Sequence, residues 1–358
     1  MRILLIHQYY LEANQGGGSR FNEFTRYWRE AGNEVTVVAG SVHYATGERS
    51  AGQRGIVRDE TTTDGVKVRR CYVSTTYNRS FLGRLWAYFS FMLSGTWAAL
   101  TAGPHDIVVA TSPPLFAGVP GLIAAKVRRR PFIFEVRDLW PESAVDTGVL
   151  TNPLLIRLSF WLEALLYRHA SAINALTPAF QRRLIENKGV PADKVWLIPN
   201  GADLDLLTPG PKDNTVRRKL GLEDKYVVSY IGAHGVANHL MQMVETAEFL
   251  RDHTDIAFLL IGDGMEKPML QEEVARRKLT NIHFVATQPK SAIGAYINAS
   301  DVCCAVLKDV ATFRTVYPNK VFDYMSCARP TIVAIDGVAR ELVEEAKAYA
   351  RLLHGVQR

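Results

Sequence analysis

The sequence predicts an α/β protein of two doubly wound, Rossmann-like domains facing each other across a cleft. Three observations predict it. Strand-like and helix-like segments alternate through residues 1–200, which implies a parallel sheet covered on both faces. The alternation stops at a turn-rich stretch and restarts after residue 225. The length of 358 residues suits two domains better than one. The expected boundaries are 1–200, a linker at 201–225, and 226–358.

In chain order, Arg2–Tyr9 is a buried strand. Ser19–Ala31 is a helix, with Phe21, Phe24, Trp28 and Ala31 near one face and Gly32 as its stop. Glu34–Ala39 is the next strand. Asp106–Thr111, Ala117–Arg129 and Pro131–Val136 form a strand–helix–strand unit, and Ala172–Thr177, Phe180–Lys188 and Val195–Pro199 repeat it. The linker carries Pro199-Asn200-Gly201 and Thr208-Pro209-Gly210-Pro211. Beyond it, strands are expected at Tyr226–Ile231, Ala257–Ile261, Ile282–Val285, Val302–Val306 and Thr331–Ile335. Helices are expected at His239–Arg251, Lys267–Arg277, Ile293–Ala299 and Pro318–Ala328.

Hydrophobic residues make up 47% and charged residues 22%, enough for a packed core. Cys71, Cys303, Cys304 and Cys327 form no C-x-x-C pair, which argues against a zinc site or disulfide framework and suits a reducing cytoplasm. The N-terminus lacks signal-peptide organisation. Residues 1–200 carry 23 Lys/Arg against 16 Asp/Glu, whereas residues 201–358 carry 19 against 20. The first half is therefore the half suited to an anionic surface. Its Arg79–Leu100 segment is rich in aromatics and reads either as a core helix or as an interfacial helix against anionic lipid. Lys67, Arg69, Arg70, Arg79, Arg84 and the run Lys126-Val127-Arg128-Arg129-Arg130 supply cations for the second reading. No nucleic-acid motif accompanies the charge, so no nucleic-acid partner is expected.

Tyr317-Pro318-Asn319-Lys320-Val321-Phe322-Asp323 reads as a helix start, with Pro318 in the first turn. Such an end favours an anion, Lys320 adds a full charge, and Asp323 shares its face. The pattern suits a nucleotide diphosphate, with phosphate at Lys320 and ribose at Asp323. It equally fits an exposed Lys/Asp pair. Gly232-Ala233-His234-Gly235 and Gly262-Asp263-Gly264 follow two strands; their glycines permit backbone contact with phosphate, and His234 can donate to an oxygen. Gly16-Gly17-Gly18 follows the first strand and is either a ligand-touching loop or a tight turn. It misses the dinucleotide fingerprint, since Phe21 takes the third glycine's place, so a nicotinamide-dependent dehydrogenase is disfavoured. Asp138, in Asp138-Leu139-Trp140-Pro141-Glu142, lies past a strand end, where it accepts from a sugar hydroxyl or caps the next turn. Asp203-Leu204-Asp205 has the D-x-D form of a metal pair but sits in the linker, and no cluster has metal-ligand spacing.

Together with Ile198-Pro199-Asn200-Gly201-Ala202-Asp203, these segments resemble, in order and placement, bacterial glycosyltransferases of the GT-B fold in the large retaining family four. N-acetyl-fucosamine and other surface-polysaccharide transferases are the nearest in kind. The resemblance runs from residue 1 to about residue 345. It implies that residues 226–358 bind a nucleotide-sugar donor, with a UDP-linked sugar expected, and that residues 1–200 bind the acceptor. The donor side then comprises Gly232, His234, Gly235, Gly262, Asp263, Gly264, Pro318, Asn319, Lys320, Val321 and Asp323. The acceptor side comprises Gly16, Gly17, Gly18 and Asp138. Asp138 and Lys320 are the expected catalytic groups, and no metal or other cofactor is expected. The acceptor implied is a polyprenyl-linked saccharide, which places the protein in the cytoplasm, peripheral on the inner face of the cytoplasmic membrane. Asp323 stands where the family has the second glutamate of a pair, and Thr315 stands at the first. The Arg and Lys common after the first strand of the second domain are missing, so Lys320, His234 and the helix end are left to hold the diphosphate. The chain also reads as short at its C-terminus for this family. Two other readings share the fold, a nucleotide-sugar epimerase and a non-catalytic binder.

Overall fold

The structure is a computed structural model that describes residues 1–12, 20–43, 47, 49, 52, 54–76 and 80–347. Two compact units divide the described chain between residues 199 and 200.

Unit 1 runs β1 (Arg2–Ile6), α1 (Arg20–Glu30), β2 (Glu34–Gly40), β3 (Val57–Thr61), β4 (Lys67–Cys71), α2 (Phe81–Leu100), β5 (Ile107–Ser112), α3 (Gly118–Arg128), β6 (Phe132–Val136), α4 (Glu142–Asp146), α5 (Pro153–His169), β7 (Ala172–Ala175), α6 (Pro178–Arg182) and β8 (Val195–Leu197). The sheet order is β3-β4-β2-β1-β5-β6-β7-β8. Among the described strands of this sheet only β3 is antiparallel, to β4. β1 lies between β2 and β5, so the winding reverses beside it. The apolar run from Leu4 to Ile6 is fully buried there, as a central parallel strand requires.

The edge pair β3–β4 was not legible in the sequence, because its strands are mostly charged. Cross-strand ion pairs stand in for apolar burial: Arg69 Nε meets Asp59 Oδ1 at 2.9 Å and Arg70 Nε meets Glu60 Oε1 at 2.8 Å. Arg70 is buried and also donates to Tyr10 O. These two arginines, expected to face lipid, are therefore engaged within the fold. α5 was missed as well, although its signal is present: Asn152 Oδ1 caps the amides of Leu154 and Leu155, with Pro153 in the first turn.

Unit 2 runs α7 (Thr215–Leu220), β9 (Tyr226–Ile231), α8 (Met241–Phe249), β10 (Ile256–Ile261), α9 (Lys267–Arg276), β11 (Ile282–Val285), α10 (Lys290–Asn298), β12 (Val302–Val306), α11 (Asn319–Ser326), β13 (Thr331–Ala334) and α12 (Val338–Glu345). Its parallel sheet has the order β11-β10-β9-β12-β13. Alternate residues feed opposite faces: Tyr230, Phe258 and Leu260 on one, Val227, Ile231, Leu259 and Ile261 on the other. The expected linker is not a bare connection. It folds α7, whose buried Arg217 donates to Ala299 O and Lys225 O, each at 2.8 Å. Asn298 holds Gly210 N and Thr208 O through its side chain. Asp203 is buried in a turn, its Oδ1 accepting from Asp205 N at 3.1 Å.

All four cysteines are buried and free. Burial pushes the Cys71 and Cys304 thiols up to about 12 and that of Cys303 up to about 11. Among the described residues no helix is long and apolar enough to cross a membrane.

Candidate functional site

In unit 2 the winding reverses at β9, between β10 and β12, and ligands of open α/β sheets bind beyond strand ends at such a point. The segments singled out in the sequence meet there. Tyr324 fixes the position of α11. Its hydroxyl accepts from Ile231 N at 2.9 Å and reaches Cys304 O at 3.4 Å, joining the helix to the ends of β9 and β12. Lys320, one turn earlier, is thereby brought beside Gly232. Its Nζ lies 3.8 Å from the centre of the Tyr230 ring and donates to Asn238 Oδ1 at 3.4 Å. A Cβ added at Gly232 would sit 3.0 Å from that Nζ, so glycine gives the ammonium its room.

Among the described residues, no carboxylate lies within ion-pair distance of Lys320. Burial lowers its ammonium to about 7. A desolvated cation without a counter-ion is costly, and an anion placed there relieves that cost. His234 is its neighbour in this respect. The residue is fully buried, and neither ring nitrogen has a hydrogen-bond partner among the described residues. Burial, then Lys267, lower it to about 4, so it is neutral at pH 7 and one nitrogen is a donor. Its ring centre lies 6.0 Å from that of Tyr230 and 6.2 Å from that of Phe284.

Two of the glycines also have a packing task. At Gly262 (φ +141°) a Cβ would lie 1.9 Å from Gly232 O, and at Gly264 (φ +157°) 2.4 Å from His234 O. They let two loops pack backbone to backbone, and this packing carries His234: its N–H donates to Asp263 O at 2.8 Å. Gly235 faces open space save for Asn238 at 3.9 Å. The Asp263 side chain is exposed and accepts from Gly264 N. Lys267, which the sequence did not mark, reaches back to Gly262 O at 2.8 Å and pins the strand end.

Pro318 stands one residue outside α11, as its cap with ψ 125°, not within the first turn. The helix has no side-chain cap, which leaves Asn319 and Lys320 as its first residues. Val321 is core: its side chain packs with Ala305, Ile335, Ala339 and Val343, and its N–H returns to Pro318 O. Asp323 is paired with Lys290 at the start of α10, Nζ lying 3.3 and 3.5 Å from its two oxygens. Thr315 donates to Thr312 O at 2.6 Å.

In unit 1, Asp138 lies past β6. Its Oδ2 accepts from Ser143 Oγ at 3.0 Å, and its Oδ1 is buried with no hydrogen-bond partner among the described residues. Burial raises its carboxyl above the ordinary range. Past the end of β1, His7 is buried and held neutral by burial and by Arg137, whose Nη1 donates to His7 Nε2 at 3.0 Å. Arg20, at the start of α1, forms a buried pair with Glu135 at 3.1 Å and donates to the carbonyls of Ile198 and Pro199. Asn174 Nδ2 joins the same carboxylate at 2.8 Å. Neither His7 nor the Arg20 network was found from the sequence; the signal was the place of His7 and Glu135 at central strand ends and of Arg20 at the start of α1. Gly16, Gly17 and Gly18 lie outside the described residues.

Two Rossmann-like units, each built on a mostly parallel sheet, have the GT-B fold. Residues 15–201 match the family described as glycosyl transferase 4-like domain, and residues 225–354 match glycosyl transferases group 1. The chain belongs to the glycosyl transferase 4-like family. It is 24% identical over 348 residues to an Escherichia coli (strain K12) protein provisionally named as the colanic acid biosynthesis glycosyl transferase WcaI, covering 94% of this chain and 84% of that one. It is 26% identical over 249 residues to 2-deoxystreptamine glucosyltransferase of Streptomyces kanamyceticus, covering 67% and 55%. Among solved structures, Anabaena Alr3699/HepE in complex with UDP and glucose superimposes with a TM-score of 0.68 at 19% identity, covering 96% of this chain and 83% of that one. WaaG, a glycosyltransferase involved in lipopolysaccharide biosynthesis, gives 0.66 at 13% identity, covering 98% and 85%.

Proposed function

We propose that the protein transfers a sugar from a UDP-linked donor to a lipid-linked saccharide during surface-polysaccharide assembly, with retention and without a metal. The observation that carries the donor side is Lys320, a largely desolvated ammonium at the start of α11 with no carboxylate counter-ion among the described residues. In this reading the diphosphate lies against Lys320 Nζ, the first amides of α11 and a donor nitrogen of His234. As the anomeric bond breaks, the growing charge on the leaving diphosphate is met by this fixed positive field. Asp323 takes the ribose hydroxyls, oriented by Lys290. Asp138 is the acceptor-side group, its free Oδ1 available to a sugar hydroxyl. The names of WcaI and WaaG support a polysaccharide product, and the HepE complex supports UDP.

Purified protein incubated with UDP-sugars and a polyprenyl-linked saccharide extract tests the reading. Transfer that is lost in Lys320→Ala and Asp323→Ala is the expected result. Absence of both transfer and UDP release with every donor would overturn it. Thr315, whose hydroxyl is bonded to Thr312 O where the family has a carboxylate, favours a second reading: a binder without turnover. That protein would be stabilised by UDP yet leave every UDP-sugar intact, while an epimerase would yield an epimer with no acceptor present.

A further inference from the structure

We infer that the outward faces of α2 and α5, joined by the cationic end of α3, form one docking surface for an anionic lipid bilayer. The inference rests on the lipid-linked acceptor reading above and names where unit 1 meets that lipid's membrane.

Every exposed side chain described along α2 is apolar: Leu82, Trp86, Phe89, Leu93 and Trp97. Their spacing of four, three, four and four residues puts them on a single stripe. The opposite side of the helix is the core side, where Ala87, Phe91, Ala98 and Ala99 are buried. α5 carries a second apolar stripe, Leu154, Leu158 and Trp161, and also exposes Arg157 and Arg168. The three tryptophans are 55%, 61% and 62% exposed at positions 86, 97 and 161. α3 packs against both helices. Soluble surfaces seldom leave this much contiguous apolar area bare, and tryptophan is the side chain that best suits a boundary between hydrocarbon and water.

Charge selects the occupant. α2 contains no acidic residue, and the single one in α5, Glu163, is buried. Lys126, Arg128, Arg129 and Arg130 are all exposed at the end of α3. Arg128 donates to Leu100 O at 3.0 Å, which sets this run at the Trp97 end of the stripe. An apolar stripe in the interface plane with cations beside it matches acyl chains below and anionic headgroups around them. Pairing this face with a second copy would instead bring two cationic runs into one interface, and like charges there are unfavourable.

The test is sedimentation of the full chain with vesicles of phosphatidylcholine alone and of phosphatidylcholine with phosphatidylglycerol in equal parts. Binding to the anionic vesicles, weakened by salt, is expected. Lys126→Gln with Arg129→Gln should weaken it about fivefold for each charge removed. Trp97→Ala with Trp161→Ala should weaken it at least about tenfold. A UDP-induced thermal shift equal to wild type in both variants shows that they are folded. Wild type left in the supernatant with anionic vesicles would overturn the inference, as would variants that bind like wild type. A dimer in solution that the tryptophan variant dissociates would also overturn it, in favour of a second copy. Failure of the vesicles with the UDP shift intact counts against this surface alone. Failure of the UDP shift with vesicle binding intact counts against the donor site alone.

Discussion

Replacing Lys320 by methionine should stabilise the empty protein and cripple its nucleotide site at once. Methionine keeps the length of the stem and removes the ammonium. Lowering that group from 10.5 to about 7 costs about 4 kcal/mol at neutral pH if desolvation is complete. Part of the side chain remains exposed, and screening reduces the cost to roughly 2 kcal/mol. The variant's melting temperature without ligand should therefore rise by roughly 4–8 °C. With UDP at about one hundred times its dissociation constant, the wild type gains about 2.7 kcal/mol from binding. Loss of a desolvated charge contact weakens affinity by at least about thirtyfold, so the same UDP stabilises the variant by less than about 1 kcal/mol. Differential scanning fluorimetry with and without UDP reads both effects. A variant that melts lower than wild type without ligand, or shifts as much with UDP, would show that Lys320 is not an uncompensated cation awaiting an anion.

The same ammonium gives a pH signature. The unfolded chain keeps the Lys320 proton to about pH 10.5 and the native state only to about 7. Native stability should therefore rise with pH across that window, as measured by urea midpoints, and the rise should be smaller in Lys320→Met. Bound diphosphate raises the ammonium's pKa again, so calorimetry should show proton uptake on UDP-sugar binding and an affinity that declines as pH rises above 7. Lys290→Ala should raise the KM for donor several-fold with little change in kcat, because Asp323 loses the partner that orients it; unchanged KM would leave Lys290 no such task. Glu135→Ala should destabilise unit 1 by about 3–5 kcal/mol, since it strands the Arg20 guanidinium in the interior. A urea midpoint close to wild type would show that water reaches that site.

Much of the fold was legible because its parallel strands are short apolar runs with helices between them, and Tyr226–Ile231 and Val302–Val306 fall where the pattern places them. Apart from α5, whose local start signal was overlooked, what was hidden depends on polar contacts that only tertiary structure brings together. Strand Val57–Thr61 has no apolar run to mark it, and its pairing shows in Asp59 and Glu60 meeting Arg69 and Arg70. Within the site, the positions of Lys320 and His234 followed from their strand ends and helix start. Lys290 could not be found that way, since it lies 33 residues from Asp323 and meets it only through tertiary packing. The glycines were legible as special backbone, and the crowding of Gly262 and Gly264 by Gly232 O and His234 O adds a loop-packing task that the sequence did not reveal.

The burial of all four thiols makes this chain carry its own unfolding reporter. Protonated and covered, they should resist alkylation while the native state lasts. Cys71 lies in unit 1, whereas Cys303, Cys304 and Cys327 lie in unit 2. One mole of label taken up ahead of the other three would time the opening of the first unit, and three ahead of one the opening of the second. No engineered probe is required to learn which of the two lets go first.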